Sequence, residues 1–324
     1  MPAIRRFLPA LALSLGAAGL TAPAHGADDY PSRGIRIIVP YAPGGGTDLF
    51  SRTLADIMTK RFRQSVFVEN RAGANTLIGH QAIAAAAPDG YTFGMISSAM
   101  TVLPFTTKAF TLSPVKDFTP LSLLATGNYA IVAHPSVPVT SIAELITYAK
   151  ANPGKLNMGT AGGAIDLAVA LFRLKANINY VTIAYKGIAP ARQALLAGEI
   201  QLLFEAIGAA REYSAAGKER FLATSGGKRD PLAPNIPTAA ESGLPGYKAD
   251  FWWGYGGPAG LPPAIAKTLT TAIQDAVKTP EFNKQILTYG NDPVGSSAEE
   301  LARVIAADLT TWGDAARAAN IKPE

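Results

Sequence analysis

The chain contains no cysteine and only three histidines, and 16% of its residues are charged. Without cysteine there is no disulfide staple, no thiolate nucleophile and no thiol for lipid attachment, so the fold must rest on its apolar core. His80 and His134 lie far apart with no metal-ligand spacing around either, and no metal site is expected. Gly-x-Ser-x-Gly is absent. Gly-Lys-Ser/Thr is absent too, and Leu49 stands where a dinucleotide fingerprint needs its third glycine. No catalytic residue and no cofactor is therefore expected. Paired carboxylates are the remaining enzyme reading, a hydrolase built on Asp48, Asp166 and Glu205. Each of these follows a strand, however, where a carboxylate orients a ligand equally well.

A dominant charge of one sign is also missing. The formal net charge is +5, spread along the chain without a block of like residues. Nucleic acid thus finds no electrostatic footprint, whereas a small anion is well suited. Beyond residue 26 no apolar run is long enough to cross a bilayer, so direct membrane insertion is not expected.

What is present begins with an export signal. Arg5 and Arg6 precede the apolar stretch Phe7 to Leu20, and small residues lead to Ala24-His25-Gly26. This is the layout of a secretory signal peptide, residues 1–26, and it places the product in the periplasm. The remaining length suits about two domains of roughly 150 residues each.

Along that length, short β-branched runs alternate with helical patterns, which reads as an α/β fold. Ile35 to Pro40 is a strand, and it runs into the loop Tyr41-Ala42-Pro43-Gly44-Gly45-Gly46. From Thr47 the period turns helical, with Leu54, Ile57, Met58 and Phe62 on one face. Val66 to Asn70 and Tyr91 to Ile96 read as further strands, the second reaching Ser97-Ser98, and Asn75 to Ala87 as a helix. Leu121 to Ala125 and Tyr129 to Ala133 read as separate strands. Ser141-Ile142-Ala143-Glu144 is a capping box. Leu156 to Met158 leads into the loop Gly159-Thr160-Ala161-Gly162-Gly163, and Val181 to Ala184 into Tyr185-Lys186-Gly187. Gln201 to Phe204 is a strand stopping at Glu205. Phe251 to Gly256 returns the chain to the first lobe. The expected organisation is a discontinuous first lobe, 27–124 and 253–324, with 125–252 as an inserted second lobe.

The recurring unit of strand, glycine loop and helix carries the chemistry. Such loops lie at the carboxyl ends of strands, where α/β sheets bind ligands. Gly44 to Gly46 let main-chain N–H groups approach closely, and the next helix adds its unpaired first donors and the positive end of its dipole. A carboxylate there needs no arginine clamp, and Thr47 adds a hydroxyl. The loop at 159–163 repeats the device. The plainer alternatives are a tight turn for each loop, dipole stabilisation for Asp48 and a solvated charge for Lys186. Trp252 and Trp253 fall on opposite faces of their strand, leaving one able to line a cleft.

These same segments resemble the receptors of tripartite tricarboxylate transporters, the TctC or Bug family. The likeness is carried by Ile37 through Asp48, Val68 through Ala74 and Pro88 through Thr92. It continues in Tyr185-Lys186-Gly187, Leu195 through Gly198, Ile236-Pro237-Thr238 and Pro258-Ala259-Gly260. The resemblance implies a type 2 periplasmic-binding-protein fold, two α/β lobes around a hinged ligand cleft. It implies a non-catalytic receptor that captures a small carboxylate and delivers it to integral-membrane transporter subunits, TctA and TctB-like; separately, a monomer is expected. A sensor that presents its liganded form to a periplasmic kinase domain is the alternative. The ligand-binding residues it implies are Tyr41, Pro43, Gly44, Gly45, Gly46, Thr47 and Asp48, with Ser97 at the end of the third strand. In the second lobe they are Thr160, Ala161, Gly162, Tyr185 and Gly187, with Glu205 where the family usually has Asp; Asp166, read from its own position in this sequence, is expected to contact the ligand as well. The second-lobe loop is two residues shorter than the family's, and Asp166 and Ala170 stand where His and Glu are common. From this, Asp166 and Glu205 are expected to favour an amino-acid-like or aromatic heterocyclic acid over citrate.

Overall fold

The computed structural model describes residues 30–160, 164–185, 188–318 and 321–323. Residues 1–26, expected as a signal peptide, and Ala161, Gly162, Gly163, Lys186 and Gly187 lie outside the described residues.

In chain order the elements are β1 (Ile35–Val39), α1 (Gly46–Phe62), β2 (Val66–Asn70), α2 (Leu77–Ala84), β3 (Thr92–Ser97), α3 (Ser98–Thr106) and β4 (Phe118–Ala133). Next come α4 (Ile142–Ala151), β5 (Asn157–Thr160), α5 (Ala164–Ala176), β6 (Val181–Ala184), α6 (Ile188–Leu196), β7 (Leu202–Ala206), α7 (Ile207–Ala215) and β8 (Arg220–Thr224). The chain finishes with β9 (Asp250–Pro258), α8 (Pro263–Lys278), α9 (Pro280–Thr288), β10 (Asp292–Pro293) and α10 (Ala298–Ala318).

The strands run in the order β2-β1-β3-β9-β4-β7-β5-β6, with β8 and β10 also paired to β4. β1 is parallel to β2 and β3, and β5 is parallel to β6 and β7, as strand–helix–strand crossovers require. The long strand β4 joins these two series. It pairs antiparallel with β9 from Phe118 to Asn128, then with β7 and β8 from Tyr129 to Ala133. Where the sequence reads as two strands, 121–125 and 129–133, there is one. Thr126-Gly127-Asn128 resembles a turn in sequence but remains extended, because each of the three pairs with a residue of β9: Trp252, Phe251 and Asp250 in turn. A Cβ on Gly127 would lie 2.4 Å from the Phe251 ring and 2.7 Å from Asn291 Oδ1, so glycine here makes room for packing.

Each series covers its own apolar core. Ile38, Leu77, Ile83, Ile96, Met100 and Leu123 pack with Trp252, Leu301 and Ile305. Met158, Leu167, Phe172, Leu202, Phe204 and Tyr247 pack together in the second series, and α10 reaches them through Trp312 and Ala315. Helix α3 departs from the sequence pattern, since Ser97-Ser98 reads as a strand end and Pro104 lies within the helix. The cap of α4 is as read: Ser141 Oγ accepts from the Glu144 N–H at 3.2 Å. Glu144 Oε2 reaches back one residue further than a capping box needs, accepting from Thr140 N at 2.7 Å.

Candidate ligand-binding site

Strand β1 ends at Val39, and Tyr41 to Gly45 carry the chain to α1. Two contacts fix this loop. Asp48 Oδ2 accepts the Gly44 N–H at 2.9 Å and Arg52 Nε at 3.0 Å, while Asp48 Oδ1 accepts Asn70 Nδ2 at 2.9 Å. Asn70 in turn donates to the Tyr41 carbonyl at 3.1 Å. Burial pushes the Asp48 carboxyl up, but its bonds to Arg52, Gly44 and Asn70 outweigh this and hold it below the usual carboxylate range. Asp48 is thus a brace for the loop, and its side chain does not line the cavity described below.

Above the brace, α1 starts without a side-chain cap on its N-cap residue Gly45. Its first-turn N–H groups are therefore available to a guest. The same is true of α3, whose N-cap residue Ser97 makes no capping bond; its hydroxyl bonds the Tyr41 hydroxyl at 2.8 Å instead. Burial raises the Tyr41 pKa, with Ser97 and Trp253 acting against the rise, so Tyr41 stays a neutral phenol. Before α2 the chain turns through three consecutive left-handed residues, Ala74, Asn75 and Thr76, at φ 45°, 51° and 76°. Such backbone is costly away from glycine and concentrates at functional sites. Thr76 is steadied by His80, whose Nδ1 lies 3.3 Å from Thr76 Oγ1.

These loops meet at a cavity of about 490 Å³. Its polar wall is Tyr41, Gly46, Thr47, Asn75, Thr76 and Ser98, with Ala99 beside them. Ala164 and Ile165, at the start of α5, and Asn291 also line it. The remainder is aromatic: Phe50, Tyr129, Phe251, Trp253 and Tyr289. No Lys, Arg, Asp or Glu lines it among the described residues. Two other cavities, about 700 and 550 Å³, contain none of the residues expected from sequence.

Of those residues, Tyr41, Gly46 and Thr47 line the cavity, and Ser97 positions Tyr41. Pro43, Gly44 and Gly45 are exposed in the loop. Thr160 is buried at the end of β5, where its carbonyl accepts the Tyr185 N–H at 2.9 Å; neither side chain lines the cavity. Asp166 sits in the first turn of α5, next to the lining residues Ala164 and Ile165. Glu205 lies away from the cavity lining. It is fully buried, with Oε2 held by Arg192 Nε at 2.5 Å. Glu219 stands beside it, and burial together with Glu205 raises the Glu219 pKa strongly. Sequence reasoning missed Asn75, Thr76, Tyr129, Phe251, Tyr289 and Asn291. Of the tryptophans, Trp253 lines the cavity, while Trp252 turns inward and donates Nε1 to Asp308 at 2.6 Å.

The family model for the tripartite tricarboxylate transporter family receptor, TctC, matches residues 50–321. The chain belongs to this receptor family. It is a periplasmic solute-binding receptor in a family of binding proteins, not enzymes. It is 32% identical to Protein BugT of Bordetella pertussis over 98% of both chains. Among solved structures it is similar to Rpa4515 of R. palustris, solved with adipate, at 30% identity and a TM-score of 0.76 over 91% of this chain and all of that one. It is similar also to MatC of Rhodopseudomonas palustris with bound malate, at 27% identity and a TM-score of 0.71 over 89% of this chain and all of that one. The receptor thus has the mixed α/β fold of periplasmic binding proteins. No described helix is long and apolar enough to cross a membrane.

Proposed function

We propose that the receptor captures a small carboxylate in the cavity between its two strand series and passes it to an integral-membrane permease pair. Residues 1–26 act as the export signal. The series joined at β4 act as two lobes, divided near residues 124 and 253, that close on the ligand. The observation that carries this reading is the convergence of the uncapped starts of α1 and α3 on one cavity without a cation in its described lining. Main-chain N–H groups at helix starts stabilise an anion through hydrogen bonds and dipoles together. Thr47, Ser98 and Asn75 supply further donors, and the neutral Tyr41 hydroxyl completes the pole. The carboxylates in two solved relatives, adipate and malate, support the ligand class.

Calorimetry against a carboxylate library tests it, followed by uptake of the best ligand by cells with and without the receptor gene. Thr47→Val and Ser98→Ala are each expected to weaken binding about tenfold or more, as loss of a hydrogen bond to a charged group does. If no carboxylate binds, or if both variants bind like the parent, the reading is wrong.

A further inference from the structure

The aromatic part of the cavity forms a connected arc. Tyr129 and Phe251 have ring centroids 5.0 Å apart, Phe251 and Trp253 4.9 Å, Trp253 and Phe50 6.3 Å, and Phe50 and Tyr289 5.4 Å. One end of the arc rests on the anion pole: a Cβ on Gly46 would lie 3.0 Å from the Tyr289 ring, so that ring covers the first residue of α1. The other end is Tyr129, where β4 exchanges β9 for β7 and β8. The arc therefore spans from the helix starts of the first series to the second. Its rings come from α1, β4, β9 and the turn after α9.

Charge is distributed to match. The donors gather at one pole, beside α1 and α3, and no cationic side chain lines the rest among the described residues. At the far end Tyr129 is buried, and burial, with Tyr41, Asp166 and Asp250 adding to it, raises its pKa, so it too stays a neutral phenol; Asp250 itself is paired with Lys248 at 3.1 Å. A second carboxylate lying along the arc would lose its water against ring carbons, with no cationic side chain in the described lining to replace it, an unfavourable exchange. A flat ring gains there, because aromatic pairs at these separations adopt edge-to-face and offset contacts worth more than the area they bury.

Resting on the carboxylate reading above, we infer that the preferred guest is an arene carboxylate: one anionic group on the helix starts and a planar aromatic body along the arc. The preference is for aromatic over saturated bodies and for one carboxylate over two.

Titration calorimetry with benzoate, cyclohexanecarboxylate, adipate and citrate as probes tests this. Benzoate is expected to bind at least about tenfold more tightly than its saturated counterpart and than either polycarboxylate. It is also expected to change Trp253 fluorescence. Phe251→Leu should bring the benzoate-to-cyclohexanecarboxylate ratio close to one while cyclohexanecarboxylate binding persists, which shows that the variant still folds. Tighter binding of adipate or citrate, or an unchanged ratio in Phe251→Leu, overturns the inference and leaves the carboxylate reading standing. Failure of all four probes to bind overturns both.

Discussion

His80 shows how a single residue ties the site to solution conditions. It is fully buried against Phe118, its Nε2 has no hydrogen-bond partner, and desolvation lowers its pKa to about 4. An unfolded histidine takes up its proton near pH 6.5. Between those values the unfolded chain binds a proton that the folded one refuses, so stability falls as pH drops from about 6.5 to 4. The loss should approach about 3 kcal/mol at the acid end, and His80→Leu should flatten it. Denaturant melts across that range measure it. A parent and variant with equal slopes would refute the assignment. The same residue illustrates what sequence conceals. Gly44 to Thr47 are legible because strand, glycine run and helix lie next to one another in the chain. Asn75 and Thr76 are not, because their left-handed turn contains no glycine after Gly73 and is held by a partner one helical turn further on. Tyr289 and Asn291 reach the cavity from far along the chain, and no local pattern reports such a meeting.

Among the elements, β7, α6 and β8 are joined by buried charge. Glu205 on β7 holds Arg192 on α6, and Glu219 beside β8 is nearly buried against the pair. With its folded pKa raised, Glu219 keeps its proton where the unfolded chain has released it. Stability therefore declines as pH rises from the ordinary carboxylate range through neutrality. Glu219→Gln removes that decline, and is expected to melt higher than the parent at pH 8 while matching it near pH 4. Equal melting at both values would show that Glu219 is ionised in the fold. The β/α alternation of this region is plain in sequence, as is the cap on α4. The continuity of β4 is not. A Thr-Gly-Asn segment signals a turn locally, and only the Phe251 ring and Asn291 above Gly127 explain why it stays extended.

At the scale of the molecule, β4 and β9 are the strands that pass between the two series, and both carry cavity residues: Tyr129 on one, Phe251 and Trp253 on the other. On the proposed reading a guest that touches both series favours their approach, because a closed form would make more of its contacts. Saturation with the best carboxylate, at about a hundred times Kd, should stabilise the receptor by about 2.7 kcal/mol. It should also reduce the radius of gyration in small-angle scattering; stabilisation without compaction would argue against closure. The unpaired lining has a further consequence for unloading. An anion clasped by a lysine or arginine leaves only when that attraction is overcome. On the proposed reading, once the halves part, water can replace the amides and hydroxyls one for one, and no cationic side chain in the described lining holds the cargo back. A site that holds its anion by dipoles, as proposed, would release it as readily as it seizes it.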